Sequence, residues 1–149
     1  MPYVRLDAWS VYPPLDWLHR AEEAARSLRS KTRGEVRQWH NRGTGKVSWV
    51  RYVYVVLLYY PEHKEKFGLY VGETHFKPPE RLQNHVKGIY ANADVKNYHK
   101  RLLPNIYNHL NPMRPYEARV IERKLYNKLR DADLGWVSMG QLRPPPNRD

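Results

Sequence analysis

The chain has 149 residues, enough for one domain with a real hydrophobic core, and carries 26 Lys and Arg against 15 Asp and Glu, a net charge of +11. Such an excess favours a polyanionic partner, nucleic acid in the usual case and an anionic membrane surface as its rival. The absence of cysteine excludes disulfides, thiolate metal sites and thiol nucleophiles and fits a cytoplasmic protein. No apolar run approaches the roughly 20 residues of a membrane span, and the N-terminus has no signal-peptide pattern.

In chain order, residues 1–13 read as an extended arm with Tyr3, Trp9 and Tyr12. From Pro14 to about Trp39, Leu15, Leu18, Ala21, Ala25 and Leu28 recur at helical steps, with acids early and bases late as the helix dipole favours. Gly34 is the expected point of division into two helices. Asn41 to Lys46 reads as a loop, which puts an N-terminal extension at 1–46 and a core at 47–149 within one compact domain. Val47 to Tyr60 is a run of Val, Leu, Tyr and Trp and the best strand candidate; Phe67 to Gly72 returns as a second strand, most simply an antiparallel hairpin. Pro79 is well placed to open a helix through Lys87. Gly88 to Asn97 reads as irregular, and Tyr98 to Leu110 as a helix interrupted at Pro104 or as a helix and a short third strand. Asn111 to Pro115 is a break. Tyr116 to Ala132 is the strongest helix, with Ala118, Ile121, Leu125, Leu129 and Ala132 in one stripe. Gly135, Trp136 and Gly140 lead into Pro144-Pro145-Pro146, an irregular tail.

Within this frame Tyr70-Val71-Gly72 ends a strand, and Arg81 and His85 sit four apart on one face of the following helix. A tyrosine that looks toward an arginine and a histidine suits a phosphate. Strand alternation puts Tyr52 and Tyr54 on one face. Glu122 lies at the shoulder of the late apolar stripe, four after Ala118 and three before Leu125. An acid there should be partly buried, at a cost in free energy unless it is paired or holds a cation. Arg119 and Lys128 are its candidate ion-pair partners, and Glu117 is the alternative ligand. Gly72 is either a strand end or a place where a phosphate approaches the backbone. Lys77, Lys87, Lys96, Lys100 and Arg101 form a candidate phosphate-tracking surface or simply a solvated basic face.

Tyr70-Val71-Gly72 with Arg81-x-x-x-His85 resembles the second half of the GIY-YIG nuclease signature. In that family a Gly-Ile-Tyr strand and a Tyr-Ile-Gly strand precede a helix with Arg and often His, and a distant helix supplies one metal-binding Glu. Here Tyr52-Val53-Tyr54 stands for the first tripeptide, with Tyr52 in place of its glycine, and Glu117 to Tyr126 resembles the glutamate helix, with Glu122 best placed. The strand linker is longer than in minimal members. The family's late Pro-x-x-Asn has only Pro144-Pro145-Pro146-Asn147 as a counterpart. The resemblance covers roughly residues 50 to 130 and implies an α+β fold: a small, mostly antiparallel three-stranded sheet flanked by helices, with an N-terminal helical extension.

The activity it implies is a divalent-metal-dependent endonuclease acting on DNA, with Tyr54 as general base, Tyr70 and Arg81 at the scissile phosphate, His85 relaying a proton and Glu122 holding Mg²⁺ or Mn²⁺. The residues alone allow either tyrosine to be the base. The residue types suit this chemistry, since Mg²⁺ prefers oxygen ligands and often uses one carboxylate plus phosphate, and arginine offers a planar fork to phosphate oxygens. With no second module evident, a stand-alone nuclease of restriction type acting as a homodimer is the nearest fit. An excised nuclease domain and a structure-selective repair or recombination nuclease are the related alternatives. From other classes, a non-catalytic basic nucleic-acid-binding protein has no need of the acid, and a membrane-surface protein lacks a helix with a strong apolar face and exposed aromatics.

Overall fold

The computed structural model describes residues 12–41, 50–89 and 92–140. Strand β1 (Tyr52–Tyr59) is buried from Val53 to Leu58 without alternation, the signature of a central strand covered on both faces. It pairs antiparallel with β2 (Phe67–Thr74) in a register that sets Tyr54 opposite Gly72 and Val56 opposite Tyr70. Its other edge takes β3 (His99–Leu102), also antiparallel. The sheet has a fourth strand, however: β4 (Trp136–Met139) lies parallel to β2, giving the order β3-β1-β2-β4. The class is α+β as expected, with four strands of mixed direction rather than three.

Trp136 to Met139 lies in the stretch expected to be an irregular tail. Gly135, at φ 87°, and the nearby Gly140 bracket a four-residue strand too short to show a period. What makes it a strand is the free edge of β2 and the burial of Val137, Ser138 and Met139. A helix of six residues, α4 (Ala93–Tyr98), likewise replaces part of the expected irregular stretch. Asn92 nucleates it by accepting from the N–H groups of Asp94 and Val95.

Helix α1 (Leu15–Arg26) buries Ala21 and Ala25, and its partner α2 (Arg33–Asn41) already contains Gly34. The division between them falls at Ser27–Thr32, ahead of the expected glycine. Its cause lies far along the chain, in α6 (Pro115–Asp131). Glu117, in the first turn of α6, accepts from Ser30 Oγ at 2.6 Å, Lys31 N at 2.6 Å, Thr32 N at 3.0 Å and Thr32 Oγ1 at 2.6 Å. The loop turns to deliver these four donors. Trp17 Nε1 adds a bond to the Leu134 carbonyl at 3.1 Å, and Ala21, Ala25 and Leu28 belong to the same apolar core as the sheet. The N-terminal helices are thus built into the core.

Burial alone would raise the Glu117 pKa, but the hydrogen bonds from Ser30, Thr32 and Lys31 outweigh it and hold the carboxyl below its ordinary value. This saturation removes Glu117 as an alternative metal ligand. Glu117→Ala is expected to lower stability by about 2–4 kcal/mol, because it strands several partly buried donors. The depressed pKa means that this stabilisation is present above the unfolded carboxyl pKa and fades as pH falls through the lower folded value. Urea melts of wild type and variant should therefore differ at pH 7 and converge in acid; parallel curves would remove Glu117 from this role.

Candidate active site

The register of the hairpin places Tyr54 and Tyr70 diagonally on one face of the sheet, their rings 6.1 Å apart. Tyr54 is only 1 % exposed. Its ring lies across the backbone of Gly72, where a Cβ would overlap the ring and its hydroxyl. Gly72 therefore makes room for a tyrosine, which gives the glycine a packing reason of its own.

Helix α3 (Pro78–Lys87) starts at the paired prolines and ends on Gly88, which takes the left-handed conformation at φ 83°. That ending swings the chain round so that the Asn92 N–H donates to His85 Nδ1 at 3.1 Å. His85 is fully buried, and burial first, then Arg81 and His99, lowers its pKa to about 4. It is neutral at physiological pH. With Nδ1 accepting, the proton resides on Nε2, which donates to Tyr54 Oη at 2.8 Å. Arg81 also bears on this hydroxyl, favouring its charged form, while Tyr70 favours the neutral one. Burial, reinforced by Tyr70 and partly offset by Arg81, keeps the Tyr54 pKa well above its usual value, so the resting side chain is a phenol. Arg81 additionally donates to the Ile89 carbonyl at 3.1 Å.

In front of the tyrosines opens a cavity of about 350 Å³. Tyr54, Tyr70, Arg81 and Glu122, four of the residues singled out from the sequence, line it; His85 stands behind Tyr54 and is not among the lining residues. His85 thus reaches the cavity only through its hydrogen bond to Tyr54. Glu122 has its pKa raised to about 7, chiefly by burial and then by Glu73, against the pull of Arg123 and of a hydrogen bond from the Glu73 backbone.

Glu73, Arg119 and Arg123 also line the cavity. Sequence reasoning passes over Glu73 and Arg123 and treats Arg119 only as an ion-pair partner. Alternation along β2 separates Glu73 from Tyr70, so periodicity gives no reason to choose it. Arg119 and Arg123 sit three before and one after Glu122, a spacing that does signal one side of a helix. Three guanidinium groups thus meet two carboxylates around an open space.

The five basic residues chosen as a phosphate-tracking surface do not line this cavity. Lys77 precedes α3, Lys87 ends it and Lys96 lies on α4, all exposed. Lys100 and Arg101, on β3, lie over the rings of Tyr59 and Tyr12 at 5.4 and 4.2 Å. Asn147 and most of the N-terminal arm fall outside the described residues.

For a divalent cation the donor set is hard oxygen. Glu122 offers a partly exposed carboxylate, and Glu73 has one carboxylate oxygen, Oε2, that is buried without a hydrogen-bond partner. A buried carboxylate oxygen in that state is one that a cation or a water would satisfy. Among the described residues no group of three or more His, Cys, Asp or Glu forms a metal cage, and Mg²⁺ does not require one, since it keeps several waters and uses one or two carboxylates. The residues present fit such an ion. Among the described residues, too, no helix is long and apolar enough to cross a membrane. Compared with protein-family models, curated proteins and solved structures, the chain finds no match.

Proposed function

We propose that this protein is a divalent-metal-dependent endonuclease of GIY-YIG type that hydrolyses DNA phosphodiester bonds. The observation that carries the proposal is the convergence of Tyr54, Tyr70, Arg81 and Glu122 on one cavity, with His85 hydrogen-bonded to Tyr54. Glu122, seconded by Glu73, would hold Mg²⁺ or Mn²⁺. When bound, such an ion supplies Lewis-acid neutralisation of phosphate charge and acidifies water.

The chain's own residues divide the remaining work. Arg81, Arg119 and Arg123 receive the non-bridging oxygens, whose charge they complement. Tyr54 accepts a hydrogen bond from His85 Nε2–H, and the charge of Arg81 favours its ionised form. Loss of its proton to the solvent of the cavity it lines leaves a phenolate beside the His85 donor and the Arg81 charge, the form able to take a proton from an attacking water. Tyr70, whose ring stands beside that of Tyr54 at the cavity, holds the water or the phosphate. Burial of both rings excludes bulk solvent from the base. An enzyme of restriction type, acting as a homodimer, is the biological form we favour.

The test is incubation of purified protein with supercoiled plasmid and phage DNA, in Mg²⁺, Mn²⁺ or EDTA, beside Glu122→Ala. Discrete metal-dependent fragments absent from the variant are expected, and a smear would point to a structure-selective or nonspecific enzyme. DNA binding without turnover in any metal would sink the proposal in favour of a non-catalytic binding protein.

A further inference from the structure

A second cavity, of about 490 Å³, opens beside the C-terminal half of α1 and the loop that leads into α2. Arg26, Arg29 and Arg33 line it together with Glu22, Asn105 and His109, and it shares no lining residue with the tyrosine cavity. Three guanidinium groups face one carboxylate. Like charges so gathered repel one another, and the fold spends several interactions on holding them there. Arg33 Nε donates to the Asn111 carbonyl at 2.8 Å, and Arg29 donates to the carbonyls of Leu28, at 2.9 Å, and Arg26. Glu117 clamps the loop between them. His109 Nε2 donates to the Ala25 carbonyl at 3.2 Å, which fixes the opposite wall.

These partners are carbonyl oxygens, which orient a guanidinium but do not neutralise it. Among the described residues Arg29 and Arg33 have no carboxylate partner; Arg26 has one, the exposed Glu23 at 3.1 Å. Each arginine carries five donors, and these bonds use only a minority of them. An open set of planar forks, oriented by these bonds and outnumbering the carboxylate of the lining, is a receptor for phosphate oxygens.

We propose that this cleft is a second phosphate-binding site, occupied by backbone phosphates of the same DNA away from the bond that is cut. The inference rests on the nuclease reading for the identity of its ligand, while the cleft itself stands on its own geometry. Openness decides for a polymer over a small phosphate compound: Arg26 and Arg29 are exposed, and nothing encloses a free ion. The site positions DNA without reading sequence, since backbone contacts carry register and not base identity.

The test measures binding in EDTA, so that cutting plays no part. A labelled duplex is titrated with wild type and with Arg26→Ala/Arg29→Ala across a series of KCl concentrations, with circular dichroism as a check on folding. Arg33 is left in place because it also anchors Asn111. The double variant should bind about tenfold or more weakly at moderate salt, and the slope of log affinity against log salt should fall by about 2, close to 0.9 per lost phosphate contact. The Arg26→Lys/Arg29→Lys variant should restore most of that slope. Unchanged affinity and slope in a folded double variant, or no DNA binding by wild type, would overturn the proposal. So would a wild type that sodium phosphate stabilises through these arginines while DNA affinity ignores them, since that marks a free-ion site. If the slope falls as expected but wild type cuts no DNA in any metal, the nuclease reading fails and the cleft remains.

Discussion

Glu122→Gln should abolish metal-dependent cutting, by a thousandfold or more, and yet melt above the wild type in metal-free buffer at pH 8. The stability gain follows from the raised pKa of Glu122, about 7 in the folded protein against 4.5 ordinarily. A group of this kind binds more protons folded than unfolded, so the wild type is progressively destabilised as pH climbs from the unfolded value to the folded one. Above pH 7 the ionised carboxylate stays buried beside Glu73 at a penalty of roughly 2 kcal/mol, discounted for partial exposure. The neutral amide removes that penalty, worth about 5 °C in melting temperature for a domain of this size.

His85 works in the opposite sense. Its pKa, about 4 folded, is depressed from 6.5, so its contribution is present above pH 6.5 and is lost as pH falls toward 4. In the wild type the two titrations oppose each other between about pH 4.5 and 6.5 and flatten the stability profile. The variant should expose the His85 slope alone. Melting curves at pH 5 and pH 8 check this: the gap between the proteins should be small at the lower pH and several degrees at the higher. A variant less stable than wild type at pH 8 would show that Glu122 is structurally satisfied and would remove the main physical reason for giving it a cation.

The second large effect is expected at Tyr54. Tyr54→Phe should lower the single-turnover cutting rate by about 10²–10⁴, the usual worth of a positioned acid–base group, with DNA affinity in EDTA changed by no more than about threefold. Stability should fall by about 1–3 kcal/mol, because the phenyl ring leaves the buried His85 Nε2–H without its acceptor. Tyr70→Phe is the natural comparison. It removes a hydroxyl facing the cavity but leaves the His85–Tyr54 bond intact, so its rate loss should be smaller. A larger loss at Tyr70 than at Tyr54 would exchange the roles of the two tyrosines.

Much of this geometry is readable in the sequence because it is carried by periodic elements. The hairpin of β1 and β2 follows from two β-rich runs, and α6 from an apolar stripe of Ala118, Ile121, Leu125 and Leu129 that the structure buries. Arg81 and His85 share a helix face by spacing alone. What escapes is what distant partners decide. The turn at Ser27–Thr32 exists because Glu117, some 85 residues on, accepts its donors. β4 exists because β2 has an edge to fill. Glu73 enters the site through the way strand and helix meet, which no local pattern records, whereas Arg123 shares a legible helix side with Arg119 and Glu122. For His85, spacing gives the helix face, while only the bond from Asn92 shows which of its nitrogens carries the proton.

The ring of Tyr54 lying over Gly72 has a consequence for how the molecule assembles. Strands slip most easily by two residues, which preserves the alternation of faces. Either slip would set Tyr54 against Tyr70 or Thr74 and forfeit the bare backbone on which its ring rests. The pair acts as a keyed joint: the alignment that closes the hairpin is also the one that brings both phenols and the α3 histidine together. A misaligned hairpin would lack the constellation altogether, so correct strand assembly and a competent site are one and the same event.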